Sequence, residues 1–185
     1  SNAMGAMASG DIFEFDTDTT LTYIVTNQIT LPTNGTFNFH NAELKRANGA
    51  ASFYGDVLLN SGVTVNNINW NGNSQNNGDG ALAPFGGVSG ITFNGGVIKN
   101  TRQMAFSGGG ANNYTFDGLT FENIGEHVFY FNGNWSNTTT FSNIICGEFG
   151  TEVENAGRNV EFVKAPSDAT SETALRLLTN ITFNM

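Results

Sequence analysis

Glu152 and Glu154 stand two residues apart, and His127, one of two histidines in the chain, precedes them. On an extended strand such a pair shares one face at a spacing of roughly 6–7 Å. Two carboxyl groups at that spacing can hydrolyse a glycosidic bond, one acting as the acid. The acid must keep its proton near neutral pH, which takes partial burial or a close like charge. His127, Glu152 and Glu154 are therefore the candidate catalytic residues. Phe106 and Phe129 are candidates for an aromatic platform under a sugar ring, and Arg102 supplies a cation beside them. The plainer reading of the same residues is a surface histidine among surface carboxylates. No cofactor and no metal is implied.

Other motifs carry less. Gly87-Val88-Ser89-Gly90 has the outline of a nucleophile elbow, but its second glycine comes one place early and no strand-to-helix context surrounds it. The stretch Asn71–Gly80 alternates oxygen ligands like a calcium loop, yet it holds one carboxylate, Asp79, where such loops need several. It reads as a solvated loop, as do Asp16 and Asp18. Sequons such as Asn113-Tyr114-Thr115 arise by composition alone in a chain with 27 Asn and many Thr.

The elements that must position these residues are strands. Charged residues make up 12% of the chain, against roughly 25% in a typical soluble domain. In their place stand 27 Asn, 23 Gly and 16 Phe, a composition poor for helix and good for turn and strand. A pattern recurs: apolar, any, apolar, two turn residues, apolar, any, apolar. It begins at residues 37, 63, 91, 114 and 139, with partial copies at 160 and 181, so the period is 21–28 residues. The tetrapeptide ITFN, at Ile91–Asn94 and Ile181–Asn184, is its most visible trace. The second turn residue is Asn41, Asn67, Gly95, Gly118 or Asn143. Asn and Gly accept a left-handed backbone at least cost, so the chain is expected to turn sharply there.

A third apolar stretch precedes each pattern, including Val57–Leu59, Met104–Phe106, Val128–Phe131 and Leu175–Leu178. Three short strands per period, without helix, predict an all-β solenoid of about seven stacked coils. Phe39, Val65, Phe93, Phe116, Phe141, Phe162 and Phe183 are then expected as an inward column. Thr64, Thr92, Thr115, Thr140 and Thr182 are expected outside, with Asn38 and Glu161 as exceptions. Aligning coils by their third strands puts Ala105, Val128 and Val153 inward, with His127 and Glu152 in one outward column and Phe106, Phe129 and Glu154 in the next. Lys99 and Glu122 share a column, an ordinary surface ion pair. The Thr column also invites an ice-binding reading, weakened by mixed flanking positions.

On these repeats and Asn-bearing turns, from about residue 21 to 185, the chain resembles the right-handed parallel β-helix superfamily of pectate lyases, polysaccharide lyases and epimerases, and phage tailspikes. The resemblance is one of architecture. It implies a single-stranded right-handed parallel β-helix, an extracellular or virion setting, carbohydrate as the ligand class, and, by the tailspike likeness, a homotrimer. A lyase of this kind uses Arg or Lys against a uronate, and only Arg102 and Lys99 lie near the expected face. The expectation is therefore a non-catalytic recognition or structural module for a neutral glycan or a protein, with a polysaccharide hydrolase or lyase as the alternative.

A net charge of −9 with seven cationic side chains argues against nucleic acid or an anionic membrane as partner. No apolar run is long enough for a membrane-spanning helix. A single cysteine, Cys146, excludes an intrachain disulfide framework. Ser1-Asn2-Ala3 before Met4 reads as a cleavage scar, so residues 1–10 are expected to be an expression scar and disordered N-terminus and 11–185 the solenoid. The chain ends on a strand without an evident polar cap, which suggests a fragment or an end covered by a partner.

Overall fold

The computed structural model of the protein describes residues 6–18, 20–50, 55–77, 81–84, 88–109, 113–132, 139–151, 163–164 and 176–184. Fifteen strands follow one another among them: β1 (Ile12–Glu14), β2 (Thr22–Val25), β3 (Ile29–Leu31), β4 (Thr36–Asn38), β5 (Glu43–Arg46), β6 (Val57–Leu59), β7 (Thr64–Asn71), β8 (Leu82–Pro84), β9 (Thr92–Thr101), β10 (Phe106–Gly109), β11 (Thr115–Ile124), β12 (Phe129–Asn132), β13 (Thr139–Cys146), β14 (Val163–Lys164) and β15 (Arg176–Phe183). One turn of 3-10 helix, Ser74–Asn76, is the only helical element described. No helix among the described residues is long and apolar enough to cross a membrane.

All strand pairs are parallel, in two sheets. The longer runs β1-β4-β7-β9-β11-β13-β15, with β5 pairing both β2 and β7, and the shorter runs β14-β12-β10-β8-β6-β3. This is a parallel β-helix. The chain bends within the longer sheet at the expected residues, with φ of 65° at Asn41, 52° at Asn67, 70° at Gly95, 68° at Gly118 and 53° at Asn143. A second set of left-handed corners stands two residues before β1, β4, β7, β9 and β11, at Gly10, Asn34, Gly62, Gly90 and Asn113. At Gly118 an added Cβ would meet Gly95 Cα and N in ordinary contact, at 3.5 Å and 3.6 Å, so glycine is required there by backbone conformation and not by crowding. Gly118→Val should therefore lower stability by roughly 1–2 kcal/mol, read from urea unfolding, because a β-branched residue resists that region.

The solenoid makes about four turns rather than seven. Thr36, Thr64, Thr92, Thr115 and Thr140 lie in direct register, and each of the four circuits between them contributes a strand to both sheets. The partial copy at 181 does not open a further turn. Ile181 pairs with Ile144 and Phe183 with Cys146, so the second ITFN sits past the bend while the first sits before it. Phe183 therefore stands not in the column expected for it but in that of Trp70, Ile98, Phe121 and Cys146, which are buried, while Phe183 itself is 48% exposed. Residues Val153, Val160, Glu161, Phe162 and Leu175, also placed by the repeat, lie outside the described residues.

The inward column is Phe13, Phe37, Val65, Phe93, Phe116 and Phe141. Phe93, Phe116 and Phe141 are almost fully buried and stacked, with centroids 5.6 Å and 5.3 Å apart. Phe39, expected in this column, is buried two residues further on and stacks on Phe15 at 4.3 Å. Rings from the shorter sheet fill the space between, with Phe129 4.7 Å from Phe116 and 4.8 Å from Phe141. Ahead of β1, Met7 packs against this core, and the Gly10 N–H donates to the Thr33 carbonyl.

Candidate functional site

The bends before β10 and β12 decide the fate of the sequence-predicted cluster. Strand alternation resets at a bend, and here the corner residue and the first strand residue both point inward. Ala105 and Phe106 are buried, as are Val128 and Phe129. Phe106 pairs with Phe129 as the coil alignment required, but both rings lie in the core, not on an exposed wall. The expected sugar platform is thus core packing. His127, expected outside, is 5% exposed; its ring stacks on Tyr130 at 5.7 Å, and its Nε2 lies 3.7 Å from Glu126 Oε1. Arg102 is half-buried in the bend before β10. Glu152 and Glu154 lie outside the described residues.

Lys99 and Glu122 are register neighbours, yet Lys99 Nζ reaches Glu43 Oε1 at 3.1 Å. Partial burial works to raise the Glu43 pKa, but hydrogen bonds from Asn71 and Lys99, together with the Lys99 charge, outweigh it and hold the carboxyl below its usual range. The loop expected to be plain and solvated is an amide network. Asn73 donates to the Arg46 carbonyl and to Asn48 Oδ1, Asn76 donates to Asn73 Oδ1, and Asn77 Oδ1 accepts from the Ala50 N–H. Asp79 lies outside the described residues.

The most regular chemistry on the surface is elsewhere, on the part of the longer sheet before the bend. Thr36, Thr64, Thr92, Thr115 and Thr140 form one outward column, each half-buried by its neighbours rather than fully exposed. Two residues on, Glu14, Asn38, Asn66, Asn94, Asp117 and Ser142 form a second. Asn94 Nδ2 donates to Asn66 Oδ1 at 2.9 Å, Asn66 Nδ2 to Asn38 Oδ1 at 2.6 Å, and Asn38 Nδ2 to Glu14 Oε1 at 2.6 Å. Each amide donates to the rung before it, and a carboxylate ends the run. His40 Nε2 also lies 2.7 Å from Glu14 Oε2. Asp117 ends a second run in the same way, accepting from Ser142 Oγ and Asn143 Nδ2, both at 2.7 Å.

These bonds hold both carboxyl groups below their usual range, Glu14 through Asn38 and then His40, Asp117 through Ser142 and then Asn143. The amide rotamers are fixed by the ladder, and Thr is stiff at χ1 by its branching. The face is thus a preorganised grid of hydroxyls and amides, one pair per rung over the three rungs Thr36/Asn38, Thr64/Asn66 and Thr92/Asn94. The Thr column was visible in the sequence, but a two-residue shift in the first full turn hid Thr36 and made Asn38 an exception to it. In the structure Asn38 belongs to the flanking column.

Neither family models, curated proteins nor solved structures give a match to this chain.

Proposed function

We propose that this protein is a non-catalytic recognition module, extracellular or virion-associated, that binds a neutral glycan along the Thr/Asn face. The observation that carries the reading is the double column itself. Amides and hydroxyls both donate and accept, as sugar hydroxyls do, so a sugar chain lying along the solenoid axis meets the same pair of groups on the three rungs Thr36/Asn38, Thr64/Asn66 and Thr92/Asn94. Groups already fixed by their neighbours lose little freedom on binding, which favours affinity. The net charge of −9 selects against polyanionic ligands, while both carboxylates in the Asn column are already hydrogen-bonded within the ladder. The likeness in architecture to pectate-lyase-like and tailspike-like β-helices supports carbohydrate as the ligand class.

The test is a glycan array read beside a reducing-sugar assay, with the wild-type protein and Asn66→Leu. Binding to a neutral polysaccharide, at least tenfold weaker in Asn66→Leu and without release of reducing ends, is the expected result. Release of reducing ends would replace this reading with a polysaccharide hydrolase or lyase. Binding unchanged by Asn66→Leu would move the ligand to another surface.

A further inference from the structure

We infer that the Thr/Asn face has a second ligand, the surface of ice. The grid has two fixed spacings. Along the solenoid axis the rungs repeat at about 4.7–4.9 Å, and within a rung the Thr and its partner two residues on are about 6.4–6.8 Å apart. Register passes from Thr36 to Thr140 in direct pairs with no slip. A ligand that is itself a lattice of water molecules presents donors and acceptors at comparable spacings in two dimensions.

The groups on this face suit such a ligand for three reasons. Each Thr carries a hydroxyl and a methyl, so it anchors one water and orders others around an apolar group. Each Asn in the run is held by its neighbour, as with Asn94 on Asn66 and Asn66 on Asn38, so its free lone pairs and N–H point in repeated directions. The paired columns carry no charge over the three rungs Thr36/Asn38, Thr64/Asn66 and Thr92/Asn94, between Glu14 on one side and Asp117 on the other, and a charge would hold its own hydration shell against the lattice. No single contact of this kind is strong. Adsorption arises because many rigid contacts engage together, and one interruption in the middle removes several at once.

This inference uses the same face as the glycan reading but does not rest on it. The experiment measures thermal hysteresis and inhibition of ice recrystallisation with the whole protein, Thr92→Tyr, Thr115→Tyr and Thr120→Tyr. Thr92 and Thr115 are central in the column; Thr120 lies past the bend, in register with Val97 and Ile145, and serves as a control of equal bulk. Circular dichroism and melting confirm which variants are folded, and two column variants keep the test open if one is not. Hysteresis in the wild type, lost at least tenfold in the folded column variants and kept in Thr120→Tyr, is expected. No ice shaping by the wild type, or equal loss in all three variants, overturns it. Glycan binding measured on the same samples separates the two readings: glycan without ice sinks only this inference, and ice without glycan sinks only the other.

Discussion

Phe116→Ala is expected to lower the free energy of unfolding by roughly 3–5 kcal/mol, the range for deleting a buried ring. Phe116 is 1% exposed and sits between Phe93 and Phe141, with interplanar angles of 19° and 13°. Phe129 and Phe106 close on it from the shorter sheet at 4.7 Å and 5.0 Å. Its neighbours are themselves rings anchored one rung away on rigid strands, so the site cannot collapse into the cavity. Urea unfolding reads the change, and a loss under about 1.5 kcal/mol would mean that the core relaxes far more than this packing allows.

Gly96→Ala should be nearly as damaging, for a different reason. Gly96 has φ of +118°, a conformation side chains rarely adopt. An added Cβ would also collide with the Ile68 backbone carbonyl on the adjacent rung. Backbone cannot swing aside as a side chain does. At neighbouring Gly95 the nearest atom to an added Cβ is Asn67 Oδ1, which can move. Backbone strain of about 1–3 kcal/mol and overpacking of similar size give an expected loss of roughly 2–6 kcal/mol. Thermal melting of Gly96→Ala beside Gly95→Ala checks it, and equal melting temperatures would contradict the close approach at Ile68.

How much of this was legible in the sequence varied with the physics behind each feature. The bends at Asn41, Asn67, Gly95, Gly118 and Asn143 could be read because few residues tolerate a left-handed backbone. The buried Phe column could be read because alternation on a strand is strict. Register was harder. The first bend holds two left-handed residues, His40 and Asn41, at φ of 51° and 65°, where the next holds Asn67 alone. Asn38 pairs with Asn66 and Glu43 with Asn69, so that bend carries two extra residues. A slip of two leaves every side chain on its own face, so hydrophobic pattern cannot expose it. ITFN at Ile181 was misplaced differently: it stands past the bend, where Ile181 pairs with Ile144, and alternation restarts there so that Phe183 again falls on an inward row beside Cys146. Phe106, Phe129 and His127 were misplaced at a bend, where counting by twos carried them to the outside. The Asn ladder was missed because it depends on the corrected register, and because its first rung, Glu14, precedes the first copy of the repeat.

The central claim is that five threonines separated by 23–28 residues stand in one straight column on one face. Dipolar distances between nitroxide labels test it most directly, on double cysteine variants pairing Thr36 with Thr92, with Thr115 and with Thr140. Native Cys146 is buried, and burial pushes its thiol up to about 12, so labelling falls on the introduced residues. The column predicts that the distance grows by about 4.8 Å with each added rung, reaching a backbone separation of about 19 Å for Thr36 with Thr140. Distances that fail to increase in equal steps, or a Thr140 pair closer than the Thr92 pair, would contradict it.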